Sequence, residues 1–263
     1  MRRTLNFTKK NFIELSKDIL FPLIFCVFPI IFISLMVFAK KSRGEDFTYY
    51  YNDLIPSTMT LVCCLVMLYI TVIVGKDKKT GLLKRMSVSP MRTPEYLFAY
   101  VINGVVVGLV SLIITYLSGL VLSACCKDSY IDFGKCMLTT LSQIPLLITM
   151  IYLGILLGSA CTFSGALTIS AALLVVVSIV SSAFFPVYQT KTLQTVFRCL
   201  PFYPSVYIGR VITEARMVIN YQQVVYTFDD IAKTSLVTVF VYMAAFIAID
   251  NATFGLFCKR QNN

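Results

Sequence analysis

Histidine is absent from this 263-residue chain, and charged residues make up only 14% of it. Without histidine there is no Ser-His or Cys-His nucleophile pair and no mixed Cys/His zinc site. The nine cysteines form no C-x-x-C pair. No Gly-x-x-x-x-Gly-Lys-Ser/Thr loop occurs: Gly75-Lys76 is followed by Asp77, and Lys78-Lys79-Thr80-Gly81 runs in the wrong order. ATP binding of the P-loop kind is therefore excluded. No pair of acids falls inside the apolar runs, so neither a two-metal site nor an acid/base pair is expected there. The scarcity of charge, against about 25% in ordinary soluble domains, comes with 57% hydrophobic residues. A soluble fold of this length could not bury that much apolar surface, so lipid must be the solvent for most of the chain.

The apolar runs are punctuated at intervals that suit membrane crossings. The patterning predicts six spans, at about 19–39, 54–75, 94–124, 138–160, 166–186 and 231–257. The first run is too long for a signal peptide. It also carries Pro22 and Pro29 and ends in Ala39-Lys40-Lys41 without a small-x-small cleavage site, so it reads as a retained span. No charge occurs from Cys136 to Thr190, which is room for two spans joined by a tight turn at Cys161-Thr162-Phe163-Ser164-Gly165. Thr93-Pro94-Glu95 is a helix start: a capping hydroxyl, a proline at the first helical position, then an acid at the positive end of the dipole. Asp229-Asp230 similarly caps the last span.

Residues 1–18 place Leu5, Phe12, Leu15 and Ile19 on one helical face, with Lys9, Lys10, Glu14 and Lys17 elsewhere. This pattern predicts an amphipathic helix lying in the membrane interface. Segment 187–230 is long, mixed and aromatic, and Pro201 and Pro204 break it. The fold class is thus all-α and polytopic, one transmembrane domain over 1–263.

The net charge is +10. Its placement at the ends of apolar runs argues for membrane topology and against a nucleic-acid surface. With the N-terminus inside, the inner segments carry a net +9 and the outer ones +2. Both termini are then cytoplasmic. Gly104 and Gly108, and Gly154 and Gly158, are four apart within spans and are candidate helix-packing positions. Asp250 is the one acid inside a span, and an intramembrane acid is a functional candidate by default. Its nearness to the inner end favours an interfacial or ion-paired role. A disulfide among Cys125, Cys126 and Cys136 is left open.

The run Gly75-Lys76-Asp77-Lys78-Lys79-Thr80-Gly81-Leu82-Leu83-Lys84-Arg85-Met86-Ser87-Val88-Ser89-Pro90 joins the second and third spans. Phe184-Phe185-Pro186, Leu200-Pro201-Phe202-Tyr203-Pro204 and Arg210 precede the last. In this order the chain resembles the permease subunits of type-2 ABC exporters over nearly its whole length. Where members of that family often carry Glu at the start of the charged inner loop, this chain has Lys76-Asp77.

The resemblance implies a coupling helix within the cytosolic loop 76–93. Asp77, Lys78, Lys79, Gly81, Leu82, Leu83, Lys84, Arg85 and Met86 would dock there on a separate ABC ATPase. It also implies that the chain binds no cofactor and that ATP is held by the partner. A homodimer or heterodimer of permeases would form the pathway in the cell membrane, and residues 187–230 would form short re-entrant helices. The cargo would be a drug, an antibiotic or peptide, a lipid or a polysaccharide. Other classes weighed against it are an ion-coupled carrier, supported by Asp250 alone, and a membrane-embedded enzyme or assembly factor, for which no polar constellation is visible.

Overall fold

The structure, a computed structural model, describes residues 2–17, 20–41, 50–82, 93–126, 133–181, 191–219 and 222–260. It is built of helices: α1 (Arg2–Lys17), α2 (Leu20–Lys41), α3 (Tyr50–Lys79), α4 (Thr93–Cys126), α5 (Phe133–Ser142), α6 (Ile144–Ala160), α7 (Phe163–Val180), α8 (Lys191–Arg198), α9 (Phe202–Ile212) and α10 (Asp230–Arg260). One feature is not helical. Strands β1 (Arg216–Ile219) and β2 (Gln222–Val225) pair antiparallel, with Arg216 opposite Val225 and Ile219 opposite Gln222.

Among the described residues five stretches are long and apolar enough to cross a bilayer: Leu54–Lys79, Pro94–Leu122, Phe133–Ala160, Phe163–Val180 and Asp230–Phe254. The first expected span is represented by α2, whose described side chains give an apolar stretch over Ile24–Phe38. The expected start of α4 is found, with Glu95 in its first turn. At α10 the cap is Asp229, whose Oδ1 accepts the Ala232 N–H at 2.9 Å. Thr162 caps α7, its hydroxyl accepting from Gly165 N.

The span expected over 138–160 lies within Phe133–Ala160, with its helix interrupted at Gln143. Pro145 has no N–H to continue a helix, and α5 ends at Ser142 while α6 begins at Ile144. The break is stabilised by the buried Gln143 side chain. Its Nε2 donates to Ser205 O at 3.1 Å, and its Oε1 accepts from Ser205 Oγ at 2.7 Å and Thr60 Oγ1 at 3.4 Å.

Helix α3 is the axis of the molecule: 89% of its most apolar window is buried, against 17% for α10. Its neighbours are fixed by close contacts along its length. A Cβ on Gly119 would meet Ile55, Tyr69 pairs with Asn103, and Tyr100 meets Asp77, so α4 runs antiparallel to α3. Gln143 meets Thr60, Gly154 lies against Met67 and Ile70, and Gly158 against Val74, so α6 runs parallel to it. Ser170 donates to Thr71 at 3.2 Å and Phe163 abuts Gly75, so α7 is antiparallel. Phe25 of α2 packs edge-on to Tyr69 with ring centroids 5.5 Å apart.

Short helix α9 covers the first turns of α3, where Gly209 lies against Pro56. Its Arg210 is fully buried, with one guanidinium nitrogen 3.3 Å from Ser57 Oγ and the guanidinium carbon 5.7 Å from the Tyr226 ring centroid. Tyr207 donates to the Asp229 carboxylate at 3.3 Å. Burial, and then the Asp229 charge, push that phenol up to about 12, so it remains a neutral donor at physiological pH.

Candidate functional site

The residues expected to couple the chain to a partner begin inside α3, not in a loop. Asp77, Lys78 and Lys79 occupy its last turn. Gly81 adopts φ 71° and its N–H donates to Lys78 O at 3.1 Å. That left-handed conformation after a helix is the one glycine adopts without strain. Leu82 is half-buried against the core. Leu83, Lys84, Arg85 and Met86 lie outside the described residues.

Asp77 is only 5% exposed although its side chain is ionisable. Its Oδ2 accepts from the Tyr100 hydroxyl at 2.5 Å, and its Oδ1 lies 3.8 Å from Lys10 Nζ. Lys10 also bridges to Glu14 at 3.3 Å, one turn further along α1. These contacts join α1, α3 and α4 around one buried carboxylate, the arrangement a buried charge needs if it is not to be strongly destabilising.

Phe7 of helix α1 packs edge-on against Tyr96 and Tyr100, at 5.3 and 5.5 Å between ring centroids. Of the expected apolar face, Phe12 reaches the core cluster, while the side chains of Leu5, Leu15 and Ile19 lie outside the described residues. Among the described side chains of α1, Thr8 and Asn11 are buried and Ile13 is exposed.

Lys78 turns away from Asp77. Its Nζ donates to the carbonyl oxygens of Ser159 at 2.7 Å and Cys161 at 2.9 Å, at the end of α6. Beside it Lys79 Nζ stands 5.8 Å from the centroid of the Phe163 ring, the first residue of α7. Tyr100 and Ser159 were not singled out from sequence, and Lys10, Cys161 and Phe163 were read only as parts of the N-terminal helix and of the tight turn. They converge from distant parts of the chain, Ser159 being 81 positions from Lys78, and no local pattern marks them for these contacts.

The four motif glycines all sit at crossings. A Cβ on Gly104 would come within 2.8 Å of Ile151, and one on Gly108 within 2.5 Å of Leu147, both on α6. On Gly154 it would lie 2.6 Å from the Met67 carbonyl oxygen, and on Gly158 2.8 Å from Val74, both on α3.

Asp250 is 1% exposed in the second half of α10, within electrostatic reach of Tyr152, and its Oδ2 has no hydrogen-bond partner among the described residues. Cys136 is a buried free thiol, and the side chains of Cys125 and Cys126 lie outside the described set. Among the described residues no three metal-ligating side chains come together.

A bundle of apolar spans around one buried helix defines a polytopic membrane protein. Residues 27–249 match the model of the ABC-2 family transporter proteins, and the chain belongs to that family. It is accordingly a membrane transport subunit of the ABC-transporter class. No curated protein and no solved structure matches the chain.

Proposed function

We propose that this chain is the membrane-spanning subunit of an ATP-driven exporter, working as a homodimer or heterodimer of permeases with separate cytosolic ATPase subunits. The observation that carries the reading is the closing turn of α3. It is tied by Asp77 to α1 and α4, by Lys78 to the end of α6 and by Lys79 to the first residue of α7, and it leads directly into the basic stretch that holds Lys84, Arg85 and Arg92. A partner that pushes on that stretch has purchase on five helices at once. The chain itself has no motif with which to use ATP.

In this reading α2 supplies the sixth span. The count of basic residues puts both termini and the end of α3 in the cytoplasm, and α8 and α9 dip back from the outer face. The cargo is a drug, an antibiotic or peptide, a lipid or a polysaccharide. The test is co-purification and transport. Tagged permease should bring down an ATPase and export should require ATP. Reversing charge with Lys84→Glu and Arg85→Glu should abolish the association while the spans remain folded. Export that ignores ATP and follows an ion gradient overturns the reading in favour of an ion-coupled carrier.

A further inference from the structure

Consecutive residues at the end of α3 reach opposite sides of the bundle. Asp77 meets α1 and α4, whereas Lys78 meets the turn between α6 and α7. The last carbonyls of a helix have no partner within it, and they form the negative end of its dipole. Lys78 Nζ lies at that end of α6, 2.7 Å from Ser159 O, 2.9 Å from Cys161 O and 3.5 Å from Ala160 O. An ammonium group has three donors and no acceptor, so it can serve several such oxygens together. Gly75 and Lys79 add contacts to Phe163. The turn itself offers a partner little to grip. It lies within the uncharged run from Cys136 to Thr190, Cys161 is half-buried, and the Thr162 hydroxyl is engaged by Gly165 N.

We propose that Lys78 is a positioning residue that makes the α6–α7 turn move as one body with the end of α3. A push delivered to residues 83–92 then reaches α6 and α7 through α3, without a second contact between the ATPase and the turn. The inference rests on the permease reading above and specifies how its force is distributed.

The experiment uses the permease reconstituted with its ATPase. Lys78→Met should lower export per molecule of ATP hydrolysed by about tenfold, the scale of one charge-assisted contact. Lys78→Arg, which still donates to carbonyls, should retain export. A covalent tie should then replace the lost one. A Cβ on Gly75 would lie 3.8 Å from Phe163 Cα, within disulfide reach. Gly75→Cys with Phe163→Cys, in a Cys161→Ala background, should restore export to the Lys78→Met protein on oxidation and lose it again on reduction.

A cross-linked Lys78→Met protein that stays inactive overturns the proposal. So does a cross-link that halts export when Lys78 is intact, because turn and helix must then slide past each other. If the unaltered chain recruits no ATPase and exports without ATP, the permease reading falls first. Failure of the cross-link alone, with ATP-driven export intact, sinks only the proposal about Lys78.

Discussion

Tyr100 donates its phenolic hydrogen to Asp77 Oδ2 across 2.5 Å, joining the start of α4 to the end of α3. A buried carboxylate is strongly destabilising unless its lone pairs are used, and here a neutral donor and the Lys10 ammonium share the task. The same joint carries α1, whose Phe7 ring stands against Tyr100. Stability and docking of the N-terminal helix are therefore properties of one cluster.

Tyr100→Phe should expose that dependence. The ring and its contact with Phe7 survive, but Asp77 loses its donor. Leaving a buried acceptor unsatisfied costs about 1–3 kcal/mol, so the thermal midpoint of the purified protein should fall. The loss should shrink when Asp77→Asn is made as well, which a double-mutant cycle measures. Additive losses in the cycle would show that the two groups act independently.

Much of this fold was legible because lipid imposes long apolar helices, and charge and proline mark their ends. The start at Thr93-Pro94-Glu95 and the turn near Cys161 follow from local chemistry. What escaped depends on residues far apart in sequence. Asp77 reads as part of the charged inner loop until Tyr100 folds against it, and nothing in the uncharged run from Cys136 to Thr190 marks the interruption that Gln143 holds through Ser205. The hairpin at Arg216–Val225 escaped for another reason. Its strands are four residues each, and the family resemblance drew the segment toward short helices.

The glycines separate by what faces them. On Gly154 a Cβ would press on the Met67 backbone carbonyl at 2.6 Å, whereas on Gly119 it would meet the terminal methyl of Ile55 at 2.8 Å. A side-chain end can swing aside and a helix backbone cannot. Gly154→Ala should therefore destabilise the protein by about 1–3 kcal/mol, the usual range for overpacking. In Gly119→Ala the gain in helix propensity, about 0.5–1 kcal/mol, should offset most of the strain. Thermal melts of the two variants in one detergent give the comparison, and equal losses would contradict it.

Asp250 contributes nothing visible to the packing that a neutral side chain could not. Its Oδ2 is buried without a hydrogen-bond partner among the described residues, and a buried polar atom left unpaired is destabilising. Asp250→Asn should raise stability, on the order of 1 kcal/mol, as read by the same melts. Lower stability in the variant would reveal a partner that the carboxylate holds. Export measured in parallel decides whether the acid is retained for transport.

Orientation can be read from a single thiol. Cys199 is exposed at the end of α8, and α9, which follows, covers the beginning of α3, opposite the end that holds Asp77. If the end of α3 is cytoplasmic, Cys199 faces outward. In a variant that keeps Cys199 as its only cysteine, a membrane-impermeant maleimide should label intact cells. A variant that keeps only the half-buried Cys161 should be labelled only after permeabilisation. The reverse pattern would place the basic stretch after Leu82 outside, where no cytosolic ATPase could reach it.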